Sequence, residues 1–434
     1  MKVAPVFSQK SLMSQPSDPV SRSGTGGFFD VRMRGFRDRA DVAEVLGLLA
    51  ARLESLPDES IPLQEAAGRV LVADVVSDLA VPAFERAAMD GYALRGSETF
   101  GAGAYNPLEF EVVGEALPGR PFTGPIRAAQ AVRIMTGAPL PAGADAVLQA
   151  EAAQETSGRL HVTDAVAPGR NVGHRGEDIK VGEVILQAGR ALRPQDLGVL
   201  ASVGTAAVQV VRRPSVAIFV TGNELLPAGS RPQGYRIVDS NSIMLQALVR
   251  RDGGVNKVSQ ALADVRAEMR AALVSSDADL LLISGGSSVG KEDHAPGVLA
   301  ELGELSFHGM ALRPASPAGV GFLKHRPVFL LPGNPVSCLC AYDFFAGPAL
   351  RKLGGRSMDW PYRSCTLPLS RKIVSEVGRV DYVRVQIRDD RVEPLATSGA
   401  AILSSTTRAD GFVIVPRDSE GYPPAEKVKV FLYD

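Results

Sequence analysis

Short apolar runs alternate with helical spacings through the middle of the chain. Val216–Val220, Leu280–Ile283 and Val328–Leu331 contain no polar residue, the pattern of strands covered on both faces. Each run passes directly into a small polar loop: Thr221-Gly222-Asn223-Glu224, Ser284 to Gly290, and Pro332-Gly333-Asn334-Pro335. Between the first two runs the spacing predicts a helix over about Ser240–Arg250, a strand near Val255–Val258 and a helix near Val265–Ser275. A helix from about Ala295 to Leu302 follows the second loop, and another runs through Leu350 after the third. Strands alternating with helices in this way imply an open, mostly parallel sheet. Right-handed crossovers then bring all three loops to one edge.

The flanking segments read differently. Asp41 and Glu44 have capping-box spacing, and Val42, Val45, Leu46, Leu49 and Leu53 mark one helical face. A short helix (Leu63–Gly68) and a strand (Val70–Val76) come next, and Val81-Pro82-Ala83-Phe84 reads as an extended crossing. Ala88–Leu94 then opens a region of short strands, with Leu108–Val113, Ala131–Met135, Ala146–Ala150 and Leu160–Val166 separated by turn residues. From Asn171 the pattern reverts, with a strand at Val184–Leu186, a helix over Pro194–Val203 ending before Gly204, and a strand at Ala206–Val211. The last segment is all-β, with strands at Val380–Ile387, Gly411–Val415 and Lys427–Leu432. The predicted fold is therefore a multi-domain α/β protein. A discontinuous first domain (41–82 and 171–211) encloses a small all-β domain (83–170). A central α/β domain with a mostly parallel sheet (212–357) precedes a C-terminal β-barrel-like domain (358–434). Residues 1–40, polar and rich in Ser, Pro and Gly at their start, read as a disordered tail.

Composition narrows the function classes. The 434 residues exceed one ordinary core. The 47 basic and 48 acidic residues leave a net charge of −1, which gives no electrostatic case for nucleic acid or membrane as a partner. No run approaches a membrane span, and no secretory signal core is evident, so a cytoplasmic location is expected. Cys338, Cys340 and Cys365 form neither a disulfide framework nor a zinc spacing. The first two lie in an apolar helix and read as packing residues.

The loop from Ser284 to Gly290 carries the candidate chemistry. Small residues and hydroxyls let bare backbone N–H groups converge on an anion, and Lys291, Glu292 and Asp293 add charge at its far edge. One such loop also fits a plain tight connection between strand and helix. Three glycine-bearing loops on one sheet edge favour a binding site.

Six motifs in order then carry a resemblance: Met89-Asp90-Gly91-Tyr92, Met135-Thr136-Gly137-Ala138-Pro139, Arg175-Gly176-Glu177-Asp178, Thr221-Gly222-Asn223-Glu224-Leu225, Ser284-Gly285-Gly286-Ser287-Ser288-Val289-Gly290 and Leu331-Pro332-Gly333-Asn334-Pro335. From about Asp41 to the C-terminus the chain resembles the molybdopterin molybdenumtransferase family, the MoeA and gephyrin E-domain type. That resemblance implies four domains in an elongated, homodimeric subunit. It implies insertion of molybdate into the dithiolene of adenylylated molybdopterin, assisted by Mg2+ and releasing AMP, with the β-domain of a partner subunit closing over the cleft. It places the pterin nucleotide at Thr221, Gly222, Ser284, Gly285, Gly286, Ser287, Ser288, Gly290, Pro332, Gly333 and Asn334. Glu224, Asp264 and Asp293 fall at the acidic positions of the cleft, Glu224 and Asp264 as candidate metal ligands, and Asp90, Thr136 and Asp178 would come from the other side. Cleaving a phosphoanhydride needs a divalent cation, and magnesium favours carboxylate oxygen and water. Asp90 and Asp178 also fit turn or cap positions beside glycine. Asp239, before Ser240-Asn241, reads as a helix cap, and His294 as an exposed loop residue.

The oxyanion side departs from the family pattern. The family's Lys-Pro-Gly-Lys-Pro run reads Arg313-Pro314-Ala315-Ser316-Pro317 here, Gly309 stands at an earlier Lys position, and Ala400 stands where a Ser is usual. Arg384 matches a retained Arg. Arg313, a planar fork suited to oxyanions, is the candidate to compensate for one Lys. Two functions compete on these residues: a molybdenumtransferase with an altered oxyanion pocket, and a paralogue that carries molybdopterin or finished cofactor to a recipient molybdenum enzyme. A scaffold using the dimer surface is a third, with no specific peptide groove in the sequence.

Overall fold

The computed structural model describes residues 39–287, 293–396 and 399–433. Predicted site residues Ser288 and Gly290, and nearly all of the predicted tail, lie outside them. The chain forms two compact units: residues up to Glu59 with those from Val211 onward, and Ser60–Val210.

The first unit is built on a six-stranded sheet of β1 (Ser215–Thr221), β2 (Val255–Leu262), β3 (Leu280–Ser284), β4 (Glu304–His308), β5 (Gly319–Leu323) and β6 (Arg326–Leu331), in the order β2-β1-β3-β6-β5-β4. β2, β1, β3 and β6 pair in parallel, and β5 runs antiparallel to β6 and β4. Alternate residues of the apolar runs go to opposite faces. Val216, Ile218, Leu280, Leu282, Phe329 and Leu331 enter one core, and Ala217, Phe219, Leu281, Ile283, Val328 and Leu330 enter the other. That two-sided burial is why the runs carry no polar alternation.

Four helices cover the sheet or pack on its core: α1 (Val42–Arg52), α2 (Asn241–Arg251), α3 (Arg266–Ser275) and α4 (Ala295–Leu302). Leu245 and Val249 of α2 join the first core. Met269 and Leu273 of α3 and Val298 and Leu299 of α4 join the second. β2 extends four residues past the predicted strand. It is the sheet's edge, paired only with β1, and most of its residues are exposed, so it shows no apolar periodicity.

The capping box of α1 is formed: Ala43 N donates to Asp41 Oδ1 (2.9 Å) and Asp41 N to Glu44 Oε2 (3.2 Å). The sequence grouping put this helix with the first domain. Its apolar stripe packs instead into the α/β core, with Val42, Val45, Leu46 and Leu49 beside Phe344 and Phe345. The Arg52 guanidinium stacks 3.9 Å from the Phe322 ring centroid and pairs with Glu304 at 2.7 Å. The stripe is too apolar for solvent, and the large two-sheeted core of its own unit covers it.

After β6 the chain continues as α5 (Pro335–Ala341), a wider turn at Tyr342–Ala346, and α6 (Gly347–Leu353). The C-terminal sheet then takes Ser364–Pro368, Val380–Arg388, Gly411–Val415 and Lys427–Leu432, with Arg391–Ala396 paired to Val380–Arg388 and Leu312–Arg313 added in parallel at one edge. Its strands at Ser364–Pro368 and Arg391–Ala396 escaped prediction because each contains proline, which weakens a strand reading. An aromatic cluster of Tyr382, Phe412, Trp360 and Phe431 ties this sheet to the α/β core. Beside it a buried ionic group joins Arg251, Asp252, Asp343 and Arg351.

The second unit holds the predicted all-β region as a six-stranded sheet. Its order is Ala146–Gln149, Gly91–Leu94, Gln130–Ile134, Leu108–Ala116, Arg159–Val162, Ala153–Thr156. The last strand is an edge with polar alternation. Residues on either side of this insertion share one core of Ile61, Leu63, Leu71, Leu186, Leu200 and Val210. The predicted helix at Leu63–Gly68 is a single tight turn over Leu63–Glu65, ended where Gly68 takes φ +72°. The predicted strand at Val70–Val76 reduces to bridges at Val70 and Leu71 and a pair at Val75–Val76.

Candidate active site

Parallel pairing sets the ends of β1, β3 and β6 nearly level: Val220 lies opposite Ser284, and Ser284 opposite Leu331. The three loops therefore leave one edge, where they line a cleft of about 900 Å³. It gathers Thr221, Gly222 and Glu224 after β1, Asp264 after β2, Ser284, Gly285, Gly286, Ser287 and Asp293 around β3, and Pro332, Gly333 and Asn334 after β6.

Glycine is required where β1 and β3 crowd. Gly285 has φ +92°, and a Cβ there would lie 2.4 Å from the Thr221 carbonyl oxygen. Ser287 Oγ donates to Leu331 O at 3.1 Å, and Gly285 N donates to the same carbonyl at 3.1 Å. The ring Nε2 of His308 meets Ser287 O at 2.9 Å, and burial holds this histidine below its ordinary value of 6.5. Among the described residues, no acceptor takes the N–H of Gly286, Ser287 or Gly333. These are the bare donors an anion needs.

The charged lining is one-signed. Glu224, Asp239, Asp264 and Asp293 line the cleft, and no Lys or Arg does so among its described residues. Asp264 Oδ2 accepts from Asn223 N at 3.0 Å, and Asn223 Oδ1 accepts from Asp264 N at 3.2 Å, which locks the β1 and β2 loops together. Asp239 Oδ1 accepts from Ser242 N at 3.0 Å, the cap its position in the sequence suggested. His294 is half-buried with its Nδ1 enclosed, where the sequence suggested exposure.

Among the described residues no three His, Cys, Asp or Glu side chains are grouped to hold a metal by themselves. Magnesium takes one or two carboxylates with water and substrate phosphate rather than an all-protein cage. Glu224 and Asp264 supply the oxygen donors it prefers.

Asp90, Thr136 and Asp178 lie on the second unit. Asp90 Oδ1 accepts from both Thr136 Oγ1 and Thr136 N at 2.7 Å, and these bonds hold the exposed carboxyl below its usual value. The motifs at Asp90 and Thr136 thus meet. Asp178 is exposed, with its N–H on Val81 O at 3.1 Å.

Arg313 and Arg384 do not line the cleft. The Arg313 guanidinium is bonded to Asp381, a fully buried carboxylate that also accepts from Ser375 Oγ at 2.7 Å. A charge buried that deeply requires a counter-ion, and Arg313 serves that need together with Arg379, 3.5 Å from Asp381 Oδ1. Arg384 is 1% exposed inside the C-terminal sheet. Gly309 has φ +91°, a conformation a lysine would resist. Sequence reasoning missed Asn241, Pro317 and Ala401 as lining residues. The first residue of α2 is marked only by following the Asp239 cap, and the other two arrive from distant segments.

Family models match along the chain: "MoeA N-terminal region (domain I and II)" over residues 40–204, "Probable molybdopterin binding domain" over 217–352, and "MoeA C-terminal region (domain IV)" over 366–433. The chain belongs to the molybdopterin molybdenumtransferase (MoeA) family, whose members are transferases of molybdenum cofactor biosynthesis. Among its relatives, the putative molybdopterin biosynthesis protein MJ0666 of Methanocaldococcus jannaschii is 34% identical over 86% of this chain and 92% of its own length. The molybdopterin molybdenumtransferase of Haemophilus influenzae is 33% identical over 87% and 95%. The MoeA crystal structure from Pyrococcus horikoshii OT3 superposes with a TM-score of 0.77 at 33% identity, covering 91% of this chain and all of that one. The cleft lies within the stretch matched as the molybdopterin-binding domain, apart from Ala401.

Proposed function

We propose that this transferase inserts molybdate into the dithiolene of adenylylated molybdopterin, with magnesium assisting and AMP released. The observation that carries the reading is the cleft's division of labour. N–H groups of the glycine loops have no acceptor among the described residues, while four carboxylates and no described cation line the same cleft. A phosphate entering there is opposed by like charge unless a divalent cation comes with it. Glu224 and Asp264 are the residues to hold magnesium, which when bound neutralises charge developing on the phosphoanhydride. The Ser284–Ser287 backbone orients the phosphate, His308 holds that loop through Ser287 O, and Asp293 borders the reacting side. Asp90, Thr136 and Asp178 are proposed participants from a partner subunit in a homodimer, and the enzyme is proposed to work in the cytoplasm. Among the described residues no helix is long and apolar enough to cross a membrane. The test is incubation of purified protein with adenylylated molybdopterin, magnesium and molybdate. AMP release dependent on both metals is expected, and none would sink the reading.

One observation favours the second reading, carriage of molybdopterin or finished cofactor to a recipient enzyme. Arg313 is held by Asp381, and Gly309, Ser316 and Ala400 offer no cation. In the same assay a carrier binds the pterin tightly and releases no AMP.

A further inference from the structure

Asn241 stands at the start of α2 and is 7% exposed. Its Nδ2 has two hydrogens and two acceptors: Ser284 Oγ at 2.9 Å and Gly333 O at 2.8 Å. Ser284 ends β3 and begins the glycine loop, and Gly333 lies in the loop after β6. A Cβ on Gly333 would sit 3.5 Å from the Gly285 Cα, so the two loops already touch. The Gly333 contact fixes the amide's orientation, because a flipped amide would set oxygen against a carbonyl oxygen. Oδ1 is then an enclosed acceptor with no partner. Ser284 Oγ, in turn, reaches Pro332 O at 3.5 Å.

We propose that Asn241 is a positioning residue that straps the β3 and β6 loops together, so that the N–H groups of Gly286, Ser287 and Gly333 converge on the phosphate of a bound nucleotide. The proposal rests on the functional reading above and adds to it the residue that sets the phosphate subsite. No backbone ladder extends past Leu331, so beyond the sheet edge the spacing of the two loops depends on side chains. Asn241 bonds both loops at once from a third element. Loosening the strap spreads the donors while leaving the rest of the cleft in place. Phosphate recognition therefore falls more than recognition of the nucleoside.

The experiment is calorimetric titration of the full chain with AMP and with adenosine, both with magnesium present, for wild type, Asn241→Ala and Ser284→Ala, with thermal unfolding in parallel. Wild type is expected to prefer AMP. Asn241→Ala should lose about tenfold in AMP affinity, the scale of one or two hydrogen bonds, and less than about twofold for adenosine. Ser284→Ala, which removes one of the two bonds without opening the core, should show a smaller loss of the same sign. It stands as the test if Asn241→Ala does not fold. Unchanged AMP affinity, or an equal fall for AMP and adenosine, overturns the strap. A wild-type protein indifferent to the phosphate overturns the functional reading, and the strap with it.

Discussion

At the scale of single residues, the carboxylates that line the cleft stand where their loss costs the fold little. Glu224 is exposed and Asp264 half-buried. Glu224→Ala should leave stability within about 0.5 kcal/mol. Asp264→Ala, which also frees the Asn223 N–H, should cost about 1 kcal/mol. Either change is expected to lower metal-dependent AMP release by ~10²-fold or more, as for loss of one placed electrostatic group. Steady-state assays beside denaturant melts check this, and equal turnover would remove the carboxylate from the mechanism. His308 gives a pH prediction. Burial lowers its value in the folded state, while Ser287 O and the Asp293 charge act in the opposite sense. The unfolded chain therefore binds the proton more readily. Stability is full above the ordinary value of 6.5 and falls as pH drops from there through the lower folded value. His308→Gln should flatten the stability profile below pH 6.5. A wild-type profile level through that range would contradict the assignment.

At the scale of elements, the site depends on three strands ending nearly level and two loops passing in contact. Gly285→Ala forces a Cβ toward the Thr221 carbonyl at 2.4 Å from a left-handed backbone. It should destabilise by about 1–3 kcal/mol and impair AMP release beyond what that loss explains. The junction of α2, the helical segment after β6 and the C-terminal sheet depends on buried charge instead. Asp343 is fully buried, with Arg251 Nη2 at 2.9 Å and Tyr362 Oη at 2.9 Å from its two oxygens. Removing it takes away one of the two carboxylates that hold Arg251 and leaves Asp252, so Asp343→Ala should cost about 1–3 kcal/mol, read from urea melts. A change below 1 kcal/mol would mean that the aromatic cluster alone holds this junction.

At the scale of the whole molecule, distant segments decide which charges meet. The Arg313 guanidinium is engaged by Asp381 and does not line the cleft at the sheet edge. Arg313→Ala is therefore expected to reduce stability by about 1–3 kcal/mol through the Asp381 it leaves behind. The molybdate concentration for half-maximal AMP release should shift by less than about twofold, well under the loss of a charge-assisted bond. A tenfold rise would return Arg313 to the oxyanion site. The homodimer is tested by light scattering, which should give twice the 45.8 kDa chain mass.

The local pattern was enough for the parallel part of the α/β sheet, because a strand buried on both faces needs an unbroken apolar run and a parallel crossover has one hand; the antiparallel strands β4 and β5 were not read from it. It was also enough for the three loops, since glycine is demanded by backbone approach rather than by distant partners. The capping box of α1 and the Asp239 cap were likewise legible, each being a contact within three residues. Tertiary structure alone decided where α1 packs, because an apolar stripe specifies that it be buried and not against which core. It decided which group Arg313 meets too: a guanidinium suits a carboxylate as well as an oxyanion, and the partner it finds, Asp381, lies 68 residues away along the chain. Asn241 was hidden for the same reason. Its two acceptors, Ser284 and Gly333, lie 43 and 92 residues further on, and only the pairing of β3 with β6 brings them within reach of one amide.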